Sequence, residues 1–232
     1  MADRIVVEPA RFGLEAAEQI GRTLLRLSGA GGELALALCG GSTVPPVYEH
    51  LAALKSVSLD WSALSFYFGD ERAVPPDHRD SNYRLARETL LSRIPAAPER
   101  IHRMEAERAD REGAARDYEA VLPASLDLLL LGMGADGHIA SLFPGSAALE
   151  ATDRRVVSVF GGAPRVARLT ITPTVLTQAK EIIVMVSGAA KQETVARALE
   201  GPLDPFACPA QLVRGATWIL DRPAASGLRA VS

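Results

Sequence analysis

The sequence contains little cysteine, few histidines and no long apolar run, and each shortage excludes a class of protein. The two cysteines among 232 residues, Cys39 and Cys208, have apolar neighbours, which predicts buried, reduced thiols rather than a disulfide framework or a redox motif. No two of the four histidines have metal-ligand spacing, so we expect no metal ion. No apolar run approaches the roughly 18 residues of a membrane span, and the start of the chain lacks the apolar core of a secretory signal. We therefore expect a cytoplasmic protein with no membrane partner.

The charge balance excludes a further class of partner. Lysine and arginine number 25 against 28 acidic residues, for a net charge of -3, and no basic block occurs. Because nucleic-acid binding normally requires a basic face, we expect no nucleic-acid partner and a small-molecule ligand instead. The sequence shows no surplus apolar helix, so we also expect a monomer.

What the sequence does contain is an alternation of apolar strand-like runs with longer amphipathic segments. Strands are predicted at residues 33–39, 64–68, 126–131, 155–160, 168–171, 182–186 and 217–220. Helices are predicted at residues 12–27, 45–54, 82–91, 110–122, 173–178 and 189–199. Mostly apolar strands separated by helices are typical of a parallel sheet that is covered on both faces. We predict a single α/β domain over residues 1–232, Rossmann-like, with a mostly parallel sheet and helices on both faces.

Glycine, hydroxyl and charged residues concentrate immediately after the predicted strands, where open α/β sheets bind their ligands. The first cluster contains Gly41, Ser42 and Thr43, followed by Pro45 and a helical pattern. Exposed amides, hydroxyls and a helix N-terminus together suit an anion such as phosphate. The alternative is an ordinary strand-to-helix turn with a capping hydroxyl. The segment lacks the Gly-Lys-Ser/Thr ending of a nucleotide loop and is not a nucleophile elbow.

The second cluster contains Asp70, Glu71 and Arg72, which follow an otherwise apolar strand. The planar guanidinium of Arg72 suits a phosphate, a carboxylate or a developing oxyanion. The alternative interpretation is a solvated loop.

The third cluster contains Gly132, Gly134 and Gly137, which formally match the dinucleotide fingerprint. Pro144 and Gly145 interrupt the segment before a crossover helix could form. We therefore reject NAD or FAD binding and expect no cofactor.

The same glycine-rich turn carries Asp136 and His138. Histidine has an ordinary pKa of about 6.5, which suits a general base, and a neighbouring carboxylate can fix its tautomer. The other histidines, His50, His78 and His102, stand in polar contexts and are predicted to be surface residues.

Two cations complete the pattern. Arg168 opens a predicted strand, and Lys191 follows Gly188 at another strand-to-helix junction. Either alone is more often a surface charge, but together with the Gly-Gly-Ser-Thr turn they could enclose one phosphate dianion.

Laid out in order, four stretches resemble the 6-phosphogluconolactonase family, within the superfamily that includes glucosamine-6-phosphate isomerase/deaminase. They read LALCGGSTVPPVYEHLA, FYFGDERAVPPDHRDSNYRLARETLL, LLLLGMGADGHIASLFPGS and RLTITPTVLTQAKEIIVMVSGAAKQETV, from about residue 36 to about 195. The Asp-Gly-His-x-Ala-Ser-Leu-Phe-Pro-Gly form is the most specific of these motifs, whereas Gly-Gly-Ser-Thr alone is not specific.

Two departures separate the chain from the deaminase branch. That branch typically has a glutamate where this chain has Phe143, and a Glu-Tyr pair where this chain has Glu71 and Arg72. The resemblance therefore implies a lactonase rather than a deaminase or isomerase. A non-catalytic sugar-phosphate sensor is the second alternative, although the intact Asp136 and His138 speak against it.

The resemblance implies hydrolysis of a phosphorylated sugar lactone without a cofactor or a covalent intermediate. His138 would take a proton from the attacking water, and Arg72 or backbone amides would stabilise the oxyanion. Asp136 would either orient His138 or bind a sugar hydroxyl.

The remaining residues would bind the substrate. Gly41, Ser42, Thr43, Arg168 and Lys191 would hold its phosphate. The matching aspartate of the deaminases transfers a proton that a lactonase does not need, so Asp70 would position the sugar.

Overall fold

A computed structural model of the chain describes residues 3–29, 32–54 and 59–229. The predicted domain limits, residues 1 and 232, lie outside these ranges. The strands are β1 (Asp3–Val7), β2 (Leu34–Leu38), β3 (Leu64–Phe68), β4 (Asp70–Arg72), β5 (Leu128–Gly132), β6 (Val156–Gly161), β7 (Val166–Ile171), β8 (Glu181–Val186) and β9 (Thr217–Asp221). The α-helices are α1 (Phe12–Ser28), α2 (Pro45–Ala53), α3 (Asn82–Thr89), α4 (Arg111–Val121), α5 (Pro173–Gln178), α6 (Gln192–Glu200) and α7 (Arg222–Ala225).

Six strands form one sheet in the order β1-β9-β8-β5-β2-β3, and all its pairings are parallel. Every residue of β2, with the sequence LALAL, is buried, and so are the four leucines that open β5. A strand whose alternating side chains are all buried must be covered on both faces of its sheet. The predicted α/β fold with a mostly parallel sheet is confirmed.

The helices bury apolar stripes against this sheet and against each other. In α1, residues Ala16, Ala17, Ile20 and Leu24 are fully buried, a spacing that places them on one helix face. Helix α1 packs extensively on α2, and α2 in turn contacts α3. Within the described ranges, no helix combines the length and the hydropathy needed to cross a membrane.

A second, three-stranded sheet in the order β4-β7-β6 was not predicted. Its pairings are antiparallel, so β6 and β7, which were predicted as strands, lie outside the parallel sheet. Residues 162–165 join these two strands, and so short a connection permits only antiparallel pairing. The prediction also missed β1, where charges flank a run of only three apolar residues, together with the three-residue β4 and the four-residue α7.

The topology places the predicted clusters side by side. Strands β8, β5, β2 and β3 are consecutive neighbours in the parallel sheet. Because parallel strands end at the same edge, the segments that follow them meet there.

Candidate active site

A cleft with a volume of about 210 Å³ opens at this edge of the parallel sheet. The residues that line it are Cys39, Gly40, Gly41, Ser42, Thr43, Asp70, Arg72, Asn82, Gly132, Met133, Gly134, His138, Ala140, Ala163, Arg168 and Lys191. Eight of the nine residues predicted for the site are among them, and Asp136 is the exception.

The Gly-Gly-Ser-Thr turn connects β2 to α2. Gly41 has a φ of 103°, a conformation that favours glycine. No side chain caps the N-terminus of α2, which begins with two prolines, so the capping alternative for Ser42 and Thr43 is not seen. Ser42 is exposed, and the Thr43 hydroxyl lies 3.2 Å from that of Ser187. Among the described residues, the amides of this turn and the Ser42 hydroxyl have no hydrogen-bond partner, so they are available to a ligand in the cleft.

His138 is held by Asp136 two residues before it. One carboxylate oxygen, Asp136 Oδ1, accepts from the His138 backbone N–H at 3.1 Å and lies 2.6 Å from His138 Nδ1. Nδ1 is thus the protonated nitrogen, and Nε2 can accept a proton. Burial acts to raise the pKa of Asp136, but the hydrogen bond and charge of His138 outweigh it and keep that pKa below its ordinary value. Of the two roles left open for Asp136, the geometry favours orientation of His138.

Gly134 is needed for this pair to approach the backbone. A Cβ added at Gly134 would lie 2.1 Å from His138 Nδ1 and 2.6 Å from Asp136 Oδ1. No ordinary contact is that short, so any side chain there must displace the imidazole.

We expect Gly134→Ala to lower turnover by about tenfold or more, because small misplacements of a reacting group are costly. The obstacle is the movable end of a side chain rather than backbone, so the urea midpoint should shift little. Gly215→Ala is the matched control, since a Cβ there has no neighbour within 4 Å. Equal activity of the two variants would contradict the expectation.

Asp70 is buried and fully engaged by protein groups. Its Oδ1 accepts from Asn82 Nδ2 at 3.0 Å, its Oδ2 accepts from the Ser141 hydroxyl at 2.6 Å, and Arg168 Nη1 lies 3.6 Å from Oδ2. Only 6% of Asp70 is exposed. Asp70 thus fixes three surrounding side chains, two of which, Asn82 and Ser141, were not among the predicted site residues.

Arg168 connects the small sheet to the cleft. Its Nε donates to the Gly161 carbonyl at 3.1 Å and its Nη2 to the Pro164 carbonyl at 3.2 Å. Burial lowers the pKa of Arg168, although the carboxylate of Asp70 opposes that shift. Arg72 lies directly opposite Arg168 in the β4-β7 ladder, which places two cations on one face of the sheet. Such a like-charge pair favours an anionic ligand.

Only some of the hydrogen-bond donors of Arg72 have partners among the described residues. Its Nη1 donates to the Asp80 carbonyl at 2.6 Å. Its buried Nε and the buried Oδ1 of Asn82 have no hydrogen-bond partner among the described residues. Buried polar atoms without partners are rare, and both side chains line the cleft.

Glu71 lies between Asp70 and Arg72 in β4, but it binds neighbouring backbone amides and does not line the cleft. Its carboxylate accepts from the backbone amides of Arg72, Asn82 and Tyr83 at 2.8 Å each, and from the Ser81 hydroxyl at 3.0 Å. Burial raises the pKa of Glu71, and the amides act against that shift. Glu71 thereby ties the start of α3 to β4 behind the cleft.

Lys191 and Phe143 complete the site. The Lys191 ammonium donates to the Met133 carbonyl, and burial lowers its pKa while the carboxylate of Asp136 opposes this. The Phe143 ring centroid lies 4.9 Å from that of His138, and the Arg168 guanidinium lies 5.6 Å from the same ring. An apolar ring thus packs between the base candidate and a cation.

The glycine-rich turn after β5 differs from a dinucleotide site. Residues 133–155 are all described, and they contain one short 3-10 turn, Ala147–Glu150, and no α-helix. Within the described part of the chain, no group of three or more histidine, cysteine or acidic side chains is arranged to bind a metal ion.

Known proteins resemble this chain in sequence and in fold over most of its length. The 6-phosphogluconolactonase of Synechocystis sp. is 37% identical to the chain, over 85% of the chain and 86% of that relative. The solved 6-phosphogluconolactonase structure from Trypanosoma brucei is 31% identical, covers 99% of both chains and has a TM-score of 0.82. A monomeric glucosamine-6-phosphate deaminase has a TM-score of 0.84 at 22% identity, covering 97% of this chain and 99% of its own, which shows a shared fold alone. The family described as glucosamine-6-phosphate isomerases/6-phosphogluconolactonase matches residues 8–220, so the chain belongs to this family.

Proposed function

We propose that the protein hydrolyses 6-phospho-D-glucono-1,5-lactone to 6-phospho-D-gluconate, the second step of the oxidative pentose phosphate pathway. One observation carries the proposal: an imidazole with an oriented free nitrogen shares a cleft with the three cations Arg72, Arg168 and Lys191. Asp70 is the one carboxylate that lines the cleft within the described part of the chain, and it is already hydrogen-bonded to Asn82 and Ser141. The cleft therefore favours an anionic substrate that needs a general base.

In the proposed reaction, His138 Nε2 takes a proton from water as the water oxygen attacks the lactone carbonyl carbon. The carbonyl oxygen becomes an oxyanion, for which Arg72 is the candidate donor because its side chain lines the cleft. Such a donor contributes about 3 to 4 kcal/mol. When the tetrahedral intermediate collapses, the ring C–O bond breaks and the imidazolium returns its proton to the ring oxygen. Asp136 keeps Nδ1 protonated throughout.

The phosphate would bind at the other side of the cleft. The turn with Gly41, Ser42 and Thr43 supplies amides and hydroxyls, and Lys191 and Arg168 supply charge. In the structure Arg168 also binds two carbonyls of the β6-β7 connection. Its phosphate contact would therefore act together with that connection.

The deaminase alternative lacks a carboxylate at a needed position. Phe143 stands there, and its ring packs against the imidazole and near Arg168. The shared fold does not separate the two reactions, whereas this side chain does. Release of ammonia from glucosamine 6-phosphate would contradict the lactonase proposal.

The direct test generates the lactone from limiting glucose 6-phosphate with its dehydrogenase, at mildly acidic pH where spontaneous opening is slow. Formation of 6-phosphogluconate is then followed through a second, coupled reduction of NADP. We expect a rate proportional to protein concentration. Binding of the lactone with no acceleration over the blank would favour the sensor alternative instead.

Lys191→Met should lower kcat/KM for the phosphorylated lactone by about 30-fold or more, because a partly buried charged partner of the phosphate is lost. Activity on plain gluconolactone should change by less than about threefold. Lys180→Met is the control, since Lys180 pairs with Asp127 and its side chain is 61% exposed. Equal losses on both substrates would assign Lys191 a structural role.

The proposal also includes a monomeric cytoplasmic enzyme that binds no nucleic acid. A solution mass near 24.6 kDa is expected from light scattering, and a multiple of it would contradict the monomer.

A further inference from the structure

The turn that carries His138 has every one of its backbone carbonyls hydrogen-bonded. Among residues 133–138, two carbonyls are paired within the turn: Gly134 with the Gly137 amide at 3.1 Å, and His138 with the Gly134 amide at 2.9 Å. The Gly137 carbonyl accepts from the Ala210 amide at 2.9 Å. The remaining three, at positions 133, 135 and 136, accept from side chains.

Those three side chains come from a single stretch of the chain. Lys191 donates to Met133, Thr194 Oγ1 donates to the Ala135 carbonyl at 2.7 Å, and Arg197 Nη2 donates to the Asp136 carbonyl at 2.9 Å. These donors, here called the α6 stripe (Lys191, Thr194 and Arg197), are spaced three residues apart along α6 and its lead-in turn. Residues three apart lie on one helix face, so one face of α6 donates all three hydrogen bonds to the turn.

The contact between the α6 stripe and the turn is close. Thr194 is 8% exposed. Gly137 has a φ of 94°, and a Cβ there would lie 2.9 Å from Cys208 Sγ and 3.3 Å from both Arg197 Nη2 and Thr194 Cγ2. The turn is therefore packed directly against α6 and Cys208 at Gly137.

We propose that Thr194 and Arg197 are positioning residues for the general base. By fixing the carbonyls of Ala135 and Asp136, they hold the Asp136 carboxylate at His138 Nδ1. The inference rests on the proposed function for the role of His138. It adds two residues that are not themselves among those lining the cleft.

The α6 stripe also joins the two halves of the site. Its first member, Lys191, is the proposed phosphate ligand, and its other two members hold the turn of the base. Because an ammonium has three N–H donors, Lys191 can donate to a bound phosphate and to the Met133 carbonyl at once. One side chain then contacts both the phosphate and the turn that orients His138.

The test compares Thr194→Val, Arg197→Gln and their combination with the unmodified protein. Long-range proton–nitrogen NMR of the imidazoles reads which nitrogen of His138 carries the proton, and Asp136→Asn serves as the positive control for a lost orientation. In the double variant we expect a mixture of tautomers and loss of the downfield Nδ1 proton. We also expect kcat to fall about tenfold with KM within about threefold, as for a misplaced base. Thr194→Ser keeps the hydroxyl and should restore the unmodified behaviour.

Matched controls separate positioning from general stability. Thr172→Val removes a hydroxyl bond from a buried threonine to a distant carbonyl, that of Arg154 at 2.8 Å. Arg214→Gln removes arginine bonds to the carbonyls of Ala198 and Gly201, at the far end of α6. If the double variant keeps the tautomer and kcat of these controls, the inference is overturned. The tautomer is measured by NMR without substrate. If the protein proves not to be a lactonase, the tautomer result still tests whether Thr194 and Arg197 position His138.

Discussion

Replacing His138 with glutamine should reduce turnover of the phosphorylated lactone by about 100-fold or more near neutral pH, the usual worth of a general base. Glutamine has a similar reach but cannot take a proton from water. KM should stay within about threefold, because the proposed phosphate ligands are unaffected. The coupled NADP assay gives both constants, with the spontaneous rate subtracted.

His50→Gln is the matched control for this substitution. His50 is exposed on α2 and does not line the cleft, so the same change of residue should leave kcat unaltered. If His138→Gln and His50→Gln retain equal turnover, His138 is removed from the mechanism. A higher KM with an unchanged kcat would instead indicate that His138 only binds substrate.

Replacing Glu71 with alanine should lower the free energy of unfolding by about 3 kcal/mol or more, because it leaves buried amide donors without acceptors. Three backbone N–H groups, those of Arg72, Asn82 and Tyr83, depend on this one carboxylate. Activity should fall as well, since the same segment places Arg72 and holds Asn82 on Asp70. Urea denaturation followed by circular dichroism measures the first effect.

Glu88→Ala is the control, because it removes a glutamate from the exposed side of α3, the helix whose first amides bind Glu71. Glu88 pairs there with Arg84 at 2.7 Å, and an exposed pair of this kind contributes about 0.5 kcal/mol. A shift of the unfolding midpoint no larger for Glu71→Ala than for Glu88→Ala would show that water replaces the lost acceptor.

Much of the site could be predicted from the sequence because its residues stand at strand ends. Gly41, Ser42, Asp70, His138 and Lys191 each follow a strand of the parallel sheet. A parallel arrangement brings strand ends to one edge, whatever the details of the packing. Their presence in one cleft was therefore predictable, although their individual roles remain predictions.

Other functional contacts could not be predicted because they join distant parts of the chain. Ser141 binds Asp70 across 71 positions, and Thr194 and Arg197 reach the turn across 59 and 61 positions. The three-residue spacing after Lys191 indicates a shared helix face, but it does not indicate what that face contacts. Serine and threonine hydroxyls bind so many kinds of partner that their sequence context selects none.

The sequence by itself determined the parallel core and the edge at which ligands bind. Strands such as LALAL have no polar residue to expose, so they must be covered on both faces. Only the tertiary structure decided the small antiparallel sheet, the hydrogen bonds to Asp70 and the hydrogen bonds from α6 to the His138 turn. These depend on hydrogen bonds whose geometry exists only after the sheet has formed, because a short polar side chain reaches its partner only when packing has brought the two within about 3 Å.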